Sequence, residues 1–319
     1  MLPLSPQMRE QVAWSRQRFP LLIPPEYVKL IDWSDPGDPL RRLLMPTDPE
    51  SSSLGRADTS GEADAVVVQG IQHMYEQTAA LILTQACAGH CRYCFRRRLL
   101  SKDVFQKESI EDLHAAIAYL REHPEIDNVL LSGGDPLICN TRRLERLFDE
   151  LATIPHIRMI RISTKLPAFL PSRFTTDARL MALLKRSGDR FRVCVQCHYD
   201  HPRELCEASA AALSAIRDAG CMLVSQIAVM RGINDCADTL YELNRRLHEH
   251  GVIPGYLFHP RPVQHATHFQ LPLVEAIDLI EQVRHRSSGP LKRFRYVLVQ
   301  DAGKIELVGV TQVWGELHL

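Results

Sequence analysis

The chain has 319 residues and carries equal numbers of basic and acidic side chains, 38 Lys and Arg against 38 Asp and Glu. A net charge near zero argues against a protein that binds nucleic acid or a membrane surface, because both need a basic excess. No apolar run approaches the about 20 residues that cross a bilayer, and residues 1–6 lack the basic and apolar regions of a signal peptide. We therefore expect a cytoplasmic protein whose nine cysteines stay reduced.

The amino-terminal part of the chain differs in composition from the rest. Residues 1–65 mix short helical patterns with prolines and end in a small, polar stretch over residues 51–65. This composition predicts a helical segment followed by a loop or linker. We expect the helical segment to pack on a main domain over residues 66–300, and residues 301–319 to form a short C-terminal segment.

From Ala79 onward, short apolar runs alternate with segments whose apolar residues recur at helical spacing. One of the helices is predicted to be capped by Ser109. The alternation predicts six strand–helix units and hence an α/β fold, a full or partial TIM-type (βα)6 barrel with a parallel sheet and helices outside. Active sites of such barrels gather at the carboxyl ends of the strands. The strands are predicted at residues 79–84, 128–131, 159–162, 193–195, 222–224, 255–258 and 296–299.

Three cysteines follow the first of these strands, and Cys87, Cys91 and Cys94 have the spacing C-x3-C-x2-C. Three thiolates on a short loop can hold three corners of a 4Fe–4S cube and leave one iron open to bind a small molecule. Half of a zinc site, disulfides, or a nucleic-acid patch at the basic run 96–98 are the alternatives. The next cysteine, Cys139, belongs to no second C-x2-C pair, and an odd number of cysteines argues against disulfides.

A glycine-rich segment, Ser132, Gly133, Gly134 and Asp135, follows the second strand. Two glycines let a ligand approach the backbone closely and leave N–H groups free to donate hydrogen bonds to it. Asp135 could pair with a cation. The alternative is a simple turn between a strand and a helix, and the position one strand after the cysteine loop favours the ligand site.

Further polar side chains lie at the ends of later strands. Gln196 and His198 follow the fourth strand and would point into the mouth of the barrel, although a structural histidine is equally expected there. Gln226 ends the fifth strand. Lys304 follows the last strand, next to Gly303. It is either an exposed surface lysine or the amine that forms a Schiff base with pyridoxal phosphate (PLP).

The cysteine loop resembles the signature of the radical S-adenosylmethionine (SAM) superfamily, and a collinear set of segments from about residue 18 to about residue 309 resembles its lysine 2,3-aminomutase family. The resemblance implies that the open iron binds SAM and that an electron from a donor such as flavodoxin or ferredoxin cleaves it to a 5′-deoxyadenosyl radical. The radical then moves an amino group from the α to the β carbon of a PLP-bound amino acid. The segments that carry the resemblance are 70–75, 87–98, 130–135, 198–202, 231–235 and 268–269.

The same resemblance assigns roles to individual residues. Arg96 would bind the substrate carboxylate, which suits the bidentate guanidinium. Tyr75 and Gln226 would contact PLP, and Lys304 would hold it covalently. The set that would contact SAM consists of Ser132, Gly133, Gly134, Asp135, Gln196 and His198.

Three departures from the family pattern bear on the function. Only Gly303 precedes Lys304, where the family has a longer glycine-rich loop. Thr78 stands where the family has an arginine for the PLP phosphate, and a hydroxyl cannot replace that charge. Arg261 stands where lysine-specific enzymes have an aspartate for the distal ammonium, so it favours a substrate with an acidic or neutral side chain.

These departures leave alternatives open. The first is a PLP-dependent aminomutase acting on an amino acid, free or within a protein. The second is a PLP-independent radical SAM enzyme for another rearrangement, an epimerisation or a hydrogen abstraction. The third is a zinc-binding or nucleic-acid-binding protein. Association into a homo-oligomer is expected from the resemblance alone.

Overall fold

The computed structural model describes residues 4–16, 19–100, 113–300, 303–309, 311–313 and 316–318, so the helix cap predicted at Ser109 lies outside the described residues. The strands are β1 (Val66–Val68), β2 (Ile71–Tyr75), β3 (Thr78–Thr84), β4 (Asn128–Gly133), β5 (Met159–Thr164), β6 (Arg192–His198), β7 (Met222–Ala228), β8 (Ile253–Phe258), β9 (Arg295–Gln300), β10 (Gly303–Glu306), β11 (Thr311–Val313) and β12 (Glu316–His318). The described helices are α1 (Pro6–Arg16), α2 (Pro25–Val28), α3 (Pro39–Leu44), α4 (Leu113–Glu122), α5 (Thr141–Ala152), α6 (Leu166–Phe169), α7 (Ser172–Thr176), α8 (Ala178–Ser187), α9 (Glu207–Asp218), α10 (Ala237–Glu249) and α11 (Leu273–Arg286).

Ten of these strands form one sheet, whose spatial order is the chain order from β1 to β10. Strands β3 to β9 are parallel to one another. Strands β1, β2 and β10 pair with their neighbours antiparallel. Within the described residues no pairing joins β1 to β10, so the sheet is open. The predicted parallel α/β barrel is confirmed, in its partial form.

The helices cover the outer face of the sheet. Val129 and Leu131 of β4 are fully buried and belong to the same core cluster as Leu144 and Leu147 of α5. Successive side chains of a strand point to opposite faces, so Leu130 and its counterparts on other strands face the concave, inner side. The inner face is where polar side chains from different strands can meet a ligand.

The edges of the sheet differ from the sequence-based prediction. The hairpin of β1 and β2 precedes the first predicted strand, and β10 follows the last one. Lys304, which we expected in a segment after the last strand, therefore lies within β10 and pairs with Val299 of β9. Strand β10 has four residues with mostly exposed side chains, so its sequence carries little of the apolar pattern that reveals a strand.

The described N-terminal residues contact the cysteine loop. Tyr27, Leu40 and Leu43 share a buried cluster with Phe269, and Cys91 packs against that cluster. The Leu43 carbonyl accepts a hydrogen bond of 2.8 Å from the backbone N–H that follows Cys91. The cysteine loop is thus held from the N-terminal side as well as by β3. The domain boundaries themselves stay a prediction. No helix in the described part of the chain is long and apolar enough to cross a membrane.

Arg92 is the charged centre of this contact. Its guanidinium pairs with the Glu50 carboxylate, with Nε 2.9 Å from Oε1, and donates to Ser15 Oγ at 2.8 Å. Both side chains of the ion pair are almost completely buried. Removing one partner from a buried pair leaves the other charge without compensation in a low-dielectric interior.

We therefore expect Arg92→Met to lower the free energy of unfolding by about 3–5 kcal/mol, measured by urea denaturation. Arg179→Met is the matched control, because Arg179 also pairs with a glutamate, Glu145, but is about half exposed. The control should lose at most about 1 kcal/mol. Equal losses in the two variants would contradict a stabilising role for the buried pair.

Candidate active site

The cysteine loop lies at the carboxyl end of β3, as the sequence predicts for a catalytic loop. The thiols of Cys87, Cys91 and Cys94 are free and half-buried. Burial raises the pKa of Cys87, and the nearby Asp135, Cys94 and Cys91 raise it further. The three sulfurs therefore share one neighbourhood, and binding to iron would deprotonate them.

This donor set fits an iron–sulfur cube. No group of three or more His, Cys, Asp or Glu side chains in the described ranges is arranged around a single metal ion. In a cube each cysteine binds a different iron, so the thiolates need not converge on one point. The residues that would hold the cluster are the three cysteines of this loop.

Gly133, the last residue of β4, and Gly134 after it allow the chain to approach the cysteine loop closely. Gly133 has a positive φ of 113°, and a Cβ on Gly134 would overlap the Ala86 carbonyl. The N–H of Gly134 donates to the Thr84 carbonyl at 2.5 Å, and the N–H of Asp135 donates to Ala86 at 2.9 Å. The N–H groups of Gly134 and Asp135 are therefore engaged by the cysteine loop and are not free for a ligand in this arrangement. The close approach serves the backbone of the cysteine loop.

The Asp135 carboxylate joins β4 to β5. It accepts hydrogen bonds from Thr164 Oγ1 at 2.9 Å and from the Lys165 backbone N–H at 2.8 Å. Burial raises the pKa of Asp135 to about 6, against these hydrogen bonds, which lower it. In the described chain no cationic side chain forms an ion pair with Asp135, so its pairing with a cation stays a prediction. Contact with SAM stays a prediction for the whole segment 132–135.

Arg96 already binds a carboxylate of the protein itself. Its Nη2 lies 2.7 Å and its Nε 2.9 Å from Glu62 Oε1, and its Nη1 donates to Ser132 Oγ. Arg98 approaches the other Glu62 oxygen at 3.6 Å. The basic run at 96–98 is thus engaged by acidic residues of the chain. No motif in the sequence points to Glu62, one of three acidic residues in the polar stretch 51–65, 34 positions before Arg96.

A buried network connects the cysteine loop to β6. The Tyr93 hydroxyl lies 2.9 Å from His198 Nε2 and donates to Asp200. Lys165 Nζ lies 2.7 Å from Asp200 and 2.8 Å from Glu204. Burial alone would raise the pKa of Asp200, but Lys165 and His198 outweigh it and keep the pKa below its usual range. His198 therefore has one ring nitrogen engaged, and the network holds the loop that carries the cysteines.

Polar side chains at the ends of neighbouring strands lie next to one another in the sheet. Gln196 is buried, and its Oε1 lies 3.5 Å from Ser163 Oγ. His198 pairs in register with Gln226, and Gln226 with Tyr256. Residues in register on neighbouring strands point to the same face. The structure therefore places the predicted residues His198 and Gln226 side by side.

Lys304 lies between two tyrosine rings. Its Nζ is 5.2 Å from the ring centroid of Tyr75 and 5.4 Å from that of Tyr256. The preceding Gly303 has a φ of 119°, and a Cβ there would contact the Tyr75 ring at 3.8 Å. The structure thus brings together Tyr75 and Lys304, the two residues that the resemblance assigns to one cofactor, although they are far apart in the sequence.

The electrostatic surroundings of Lys304 favour its neutral form. Partial desolvation lowers the pKa of Lys304 although the side chain is still exposed, and the positive charges of Arg161, Arg261 and Arg295 lower it further. A lysine with a lowered pKa presents more of the unprotonated amine, which is the nucleophile for a carbonyl. The residues around Lys304 therefore fit an aldehyde cofactor.

Arg261 is a further cation near both Lys304 and Arg96. Its Nη1 donates to Ser60 Oγ at 2.5 Å, and its guanidinium carbon is 4.2 Å from the Phe95 ring centroid. Burial lowers the pKa of Arg261 to about 10, with Glu62 opposing the shift and Arg96 adding to it. Arg261 thus interacts electrostatically with both Lys304 and Arg96.

Comparisons with known proteins show what this chain is similar to. The family model described as the radical SAM superfamily matches residues 81–243. The chain is 38% identical to a protein of Aquifex aeolicus (strain VF5), named provisionally as an L-lysine 2,3-aminomutase, over 95% of this chain and 81% of that protein. It is 34% identical to the L-lysine 2,3-aminomutase of Clostridium subterminale over 90% of this chain and 68% of that protein. Among solved structures, a radical SAM methyltransferase from Sphaerobacter thermophilus matches with a TM-score of 0.46 and 15% identity, covering 71% of this chain and 68% of that one.

Proposed function

The chain belongs to the radical SAM superfamily and, within it, to the L-lysine 2,3-aminomutase family, and on that premise we propose that it is a PLP-dependent 2,3-aminomutase of an amino acid other than lysine. Membership implies a 4Fe–4S cluster and SAM. The enzyme also needs a reducing electron donor, for which we propose a protein of the flavodoxin or ferredoxin type.

The observation that carries the proposal is the position of Lys304. An amine with a lowered pKa lies within 5.5 Å of two aromatic centroids and beside several guanidinium groups. A surface lysine without a function would have no reason to be desolvated among cations. Aromatic rings and cations around a reactive amine suit a planar, anionic aldehyde.

Different residues of the chain would bind the cluster, the cofactor and the substrate. Cys87, Cys91 and Cys94 would hold the cluster, which supplies the electron that cleaves SAM. PLP, once bound, supplies an electron sink for the migrating amino group. Lys304 would anchor the cofactor, with Tyr75 against it and Gln226 nearby on the sheet. The chain then has to orient the substrate and exclude water from the radical.

Arg96 and Arg261 would orient the substrate. Arg96 donates to the Glu62 carboxylate through two nitrogens, and the same guanidinium would donate two hydrogen bonds to a substrate carboxylate. Arg261 adds a second positive charge close to the first. A lysine side chain would bring its ammonium towards these charges, whereas an acidic or neutral side chain would not. We therefore propose an acidic or neutral amino acid as substrate.

The second candidate is a PLP-independent radical SAM enzyme. Thr78 favours it, because position 78 carries no positive charge for a phosphate. The short connection before Lys304 favours it as well, since only Gly303 offers flexibility there. The two candidates differ in whether PLP reaches Lys304.

Reductive trapping distinguishes the two candidates. The reconstituted protein is mixed with PLP under anaerobic conditions, reduced with sodium borohydride and digested, and the modified peptide is identified by mass spectrometry. We expect one PLP per chain, fixed on Lys304. Labelling spread over exposed lysines such as Lys185 and Lys292, or no labelling, would favour the PLP-independent enzyme.

Glu62 and the substrate carboxylate would compete for Arg96. We therefore expect Glu62→Gln to lower the Kd of the amino-acid substrate by roughly 3- to 10-fold, because an amide competes less well than a carboxylate for a guanidinium. Isothermal titration with the substrate measures this Kd. Asp149→Asn is the control, since Asp149 pairs with Arg186 on the exposed surface. A higher Kd in Glu62→Gln would mean that Glu62 positions Arg96 instead.

A further inference from the structure

Arg161 is a cation on the inner face of the sheet whose hydrogen-bond partners are all neutral. Its Nε donates to Asn128 Oδ1 at 2.9 Å, and its Nη2 donates to Thr78 Oγ1 at 3.4 Å. The side chain is half-buried on β5, between β4 and β6. Within the described residues, no carboxylate forms an ion pair with it.

This arrangement is costly for the protein alone. Burial lowers the pKa of Arg161, and the groups that oppose the shift are the thiol of Cys194 and the phenols of Tyr256 and Tyr75. Burial raises the pKa of Cys194 to about 11, so this thiol brings no negative charge at neutral pH. A guanidinium that is partly withdrawn from water without an anion is unfavourable, and buried charges in proteins are normally paired or bind ligands.

The other cations near Lys304 differ from Arg161 in this respect. Arg295 forms an ion pair with Glu306 across the β9–β10 hairpin, with 2.6 Å between Nη2 and Oε2. Arg261 feels the charge of Glu62. Arg161 is thus the guanidinium in this group that has no carboxylate to balance it.

Arg161 is also close to the amine. Its charge is the first of the three positive charges that lower the pKa of Lys304. Thr78, which accepts a hydrogen bond from Arg161, pairs in register with Tyr75 at the turn between β2 and β3. The uncompensated cation, the Thr78 hydroxyl and the reactive lysine therefore surround the same space next to the Tyr75 ring.

We propose that Arg161, together with the hydroxyl of Thr78, binds the phosphate group of PLP. Thr78 itself carries no positive charge. The Arg161 guanidinium, which reaches Thr78 from β5, would supply that charge at the same place. Thr78 Oγ accepts from Arg161, and its hydroxyl proton remains available for a phosphate oxygen. This inference rests on the proposed function, because it assigns a part of the same PLP site.

The test compares PLP with pyridoxal, which has the aldehyde but no phosphate. Absorbance titrations of the reconstituted protein give the Kd of each ligand. We expect Arg161→Gln to raise the Kd of PLP by roughly 10- to 100-fold, the range for hydrogen bonds to charged groups, and to change that of pyridoxal by less than about 3-fold. Arg161→Lys should raise the Kd of PLP less than Arg161→Gln does, and it replaces that variant if the latter does not fold.

Two further variants sharpen the test. Arg245→Gln is the control, because Arg245 lies on the outer helix α10 and pairs there with Glu242, and it should leave the Kd of PLP within about 3-fold. Adding Thr78→Arg to Arg161→Gln should restore most of the affinity for PLP, since the charge returns to the same place from another strand.

The outcomes separate the inference from the proposed function. If wild-type protein binds PLP on Lys304 but Arg161→Gln weakens PLP and pyridoxal equally, or neither, the phosphate lies elsewhere and the inference is overturned while the function stands. If wild-type protein binds neither ligand at Lys304, the proposed function itself fails.

Discussion

Replacing Cys91 by alanine is expected to reduce SAM cleavage to the level of the cluster-free protein. Two thiolates would remain for a cube that needs three protein ligands, and the half-buried loop offers no described substitute ligand. The measurement is the iron and sulfide content after anaerobic reconstitution, together with 5′-deoxyadenosine formed from SAM in the presence of dithionite.

Cys236→Ala is the matched control for this experiment. Cys236 is exposed and makes no side-chain cap at the start of α10, so its loss should leave iron content and SAM cleavage unchanged. A Cys91→Ala protein that keeps its iron and cleaves SAM at the wild-type rate would contradict the assignment of the cluster loop. Zinc in place of iron in the wild-type protein would contradict it as well.

Replacing Lys304 by alanine is expected to abolish the PLP-dependent absorbance band and the aminomutase reaction together. The variant should still cleave SAM, because the cysteine loop and Lys304 lie on different elements of the barrel. The band should be present in wild-type protein already at neutral pH, since the pKa of Lys304 lies below its ordinary value and more of the amine is unprotonated there.

Lys304→Arg separates the charge of this residue from its chemistry. Arginine keeps a positive charge between the rings of Tyr75 and Tyr256 but offers no nucleophilic amine, so the band should be absent from this variant too. Lys292→Ala, at an exposed lysine, should behave as wild type. Full aminomutase activity in Lys304→Ala would contradict the proposed role of Lys304.

The central strands and the cysteine loop were predictable from local pattern. Apolar runs such as that of β3 are continuous because both faces of a parallel strand are covered, and the three cysteines lie within eight residues of one another. The position of this loop at the end of β3 follows from the chain order alone. These features depend on residues that are close together in the sequence, so the sequence pattern is enough to predict them.

The strand position of Lys304 was not predictable in the same way. Strand β10 exists because Gly303, Lys304, Ile305 and Glu306 pair with β9, and its own side chains are too exposed to show an apolar pattern. The hairpin of β1 and β2 also has several half-buried or exposed side chains and so shows no clear apolar pattern. Such edge strands depend on a partner rather than on their own sequence.

The polar contacts of the site depend on residues far apart in the chain. Glu62 reaches Arg96 from the polar stretch before β1, and Lys165 reaches Asp200 over 35 positions. The N–H groups after β4 looked free because the sequence does not show that the backbone of the cysteine loop lies against them. Motif spacing identifies which residues are chemically suitable, and only the packing of the barrel shows which of them are already engaged.

The most direct test of the proposed function is anaerobic turnover with SAM, PLP, dithionite and a panel of free amino acids deuterated at the β carbon. We expect an acidic or neutral amino acid to give its β-amino isomer, only when both SAM and PLP are present and only with Lys304 intact. Deuterium in 5′-deoxyadenosine without any β-amino isomer would contradict this account, and would show a radical SAM enzyme that abstracts hydrogen without moving an amino group.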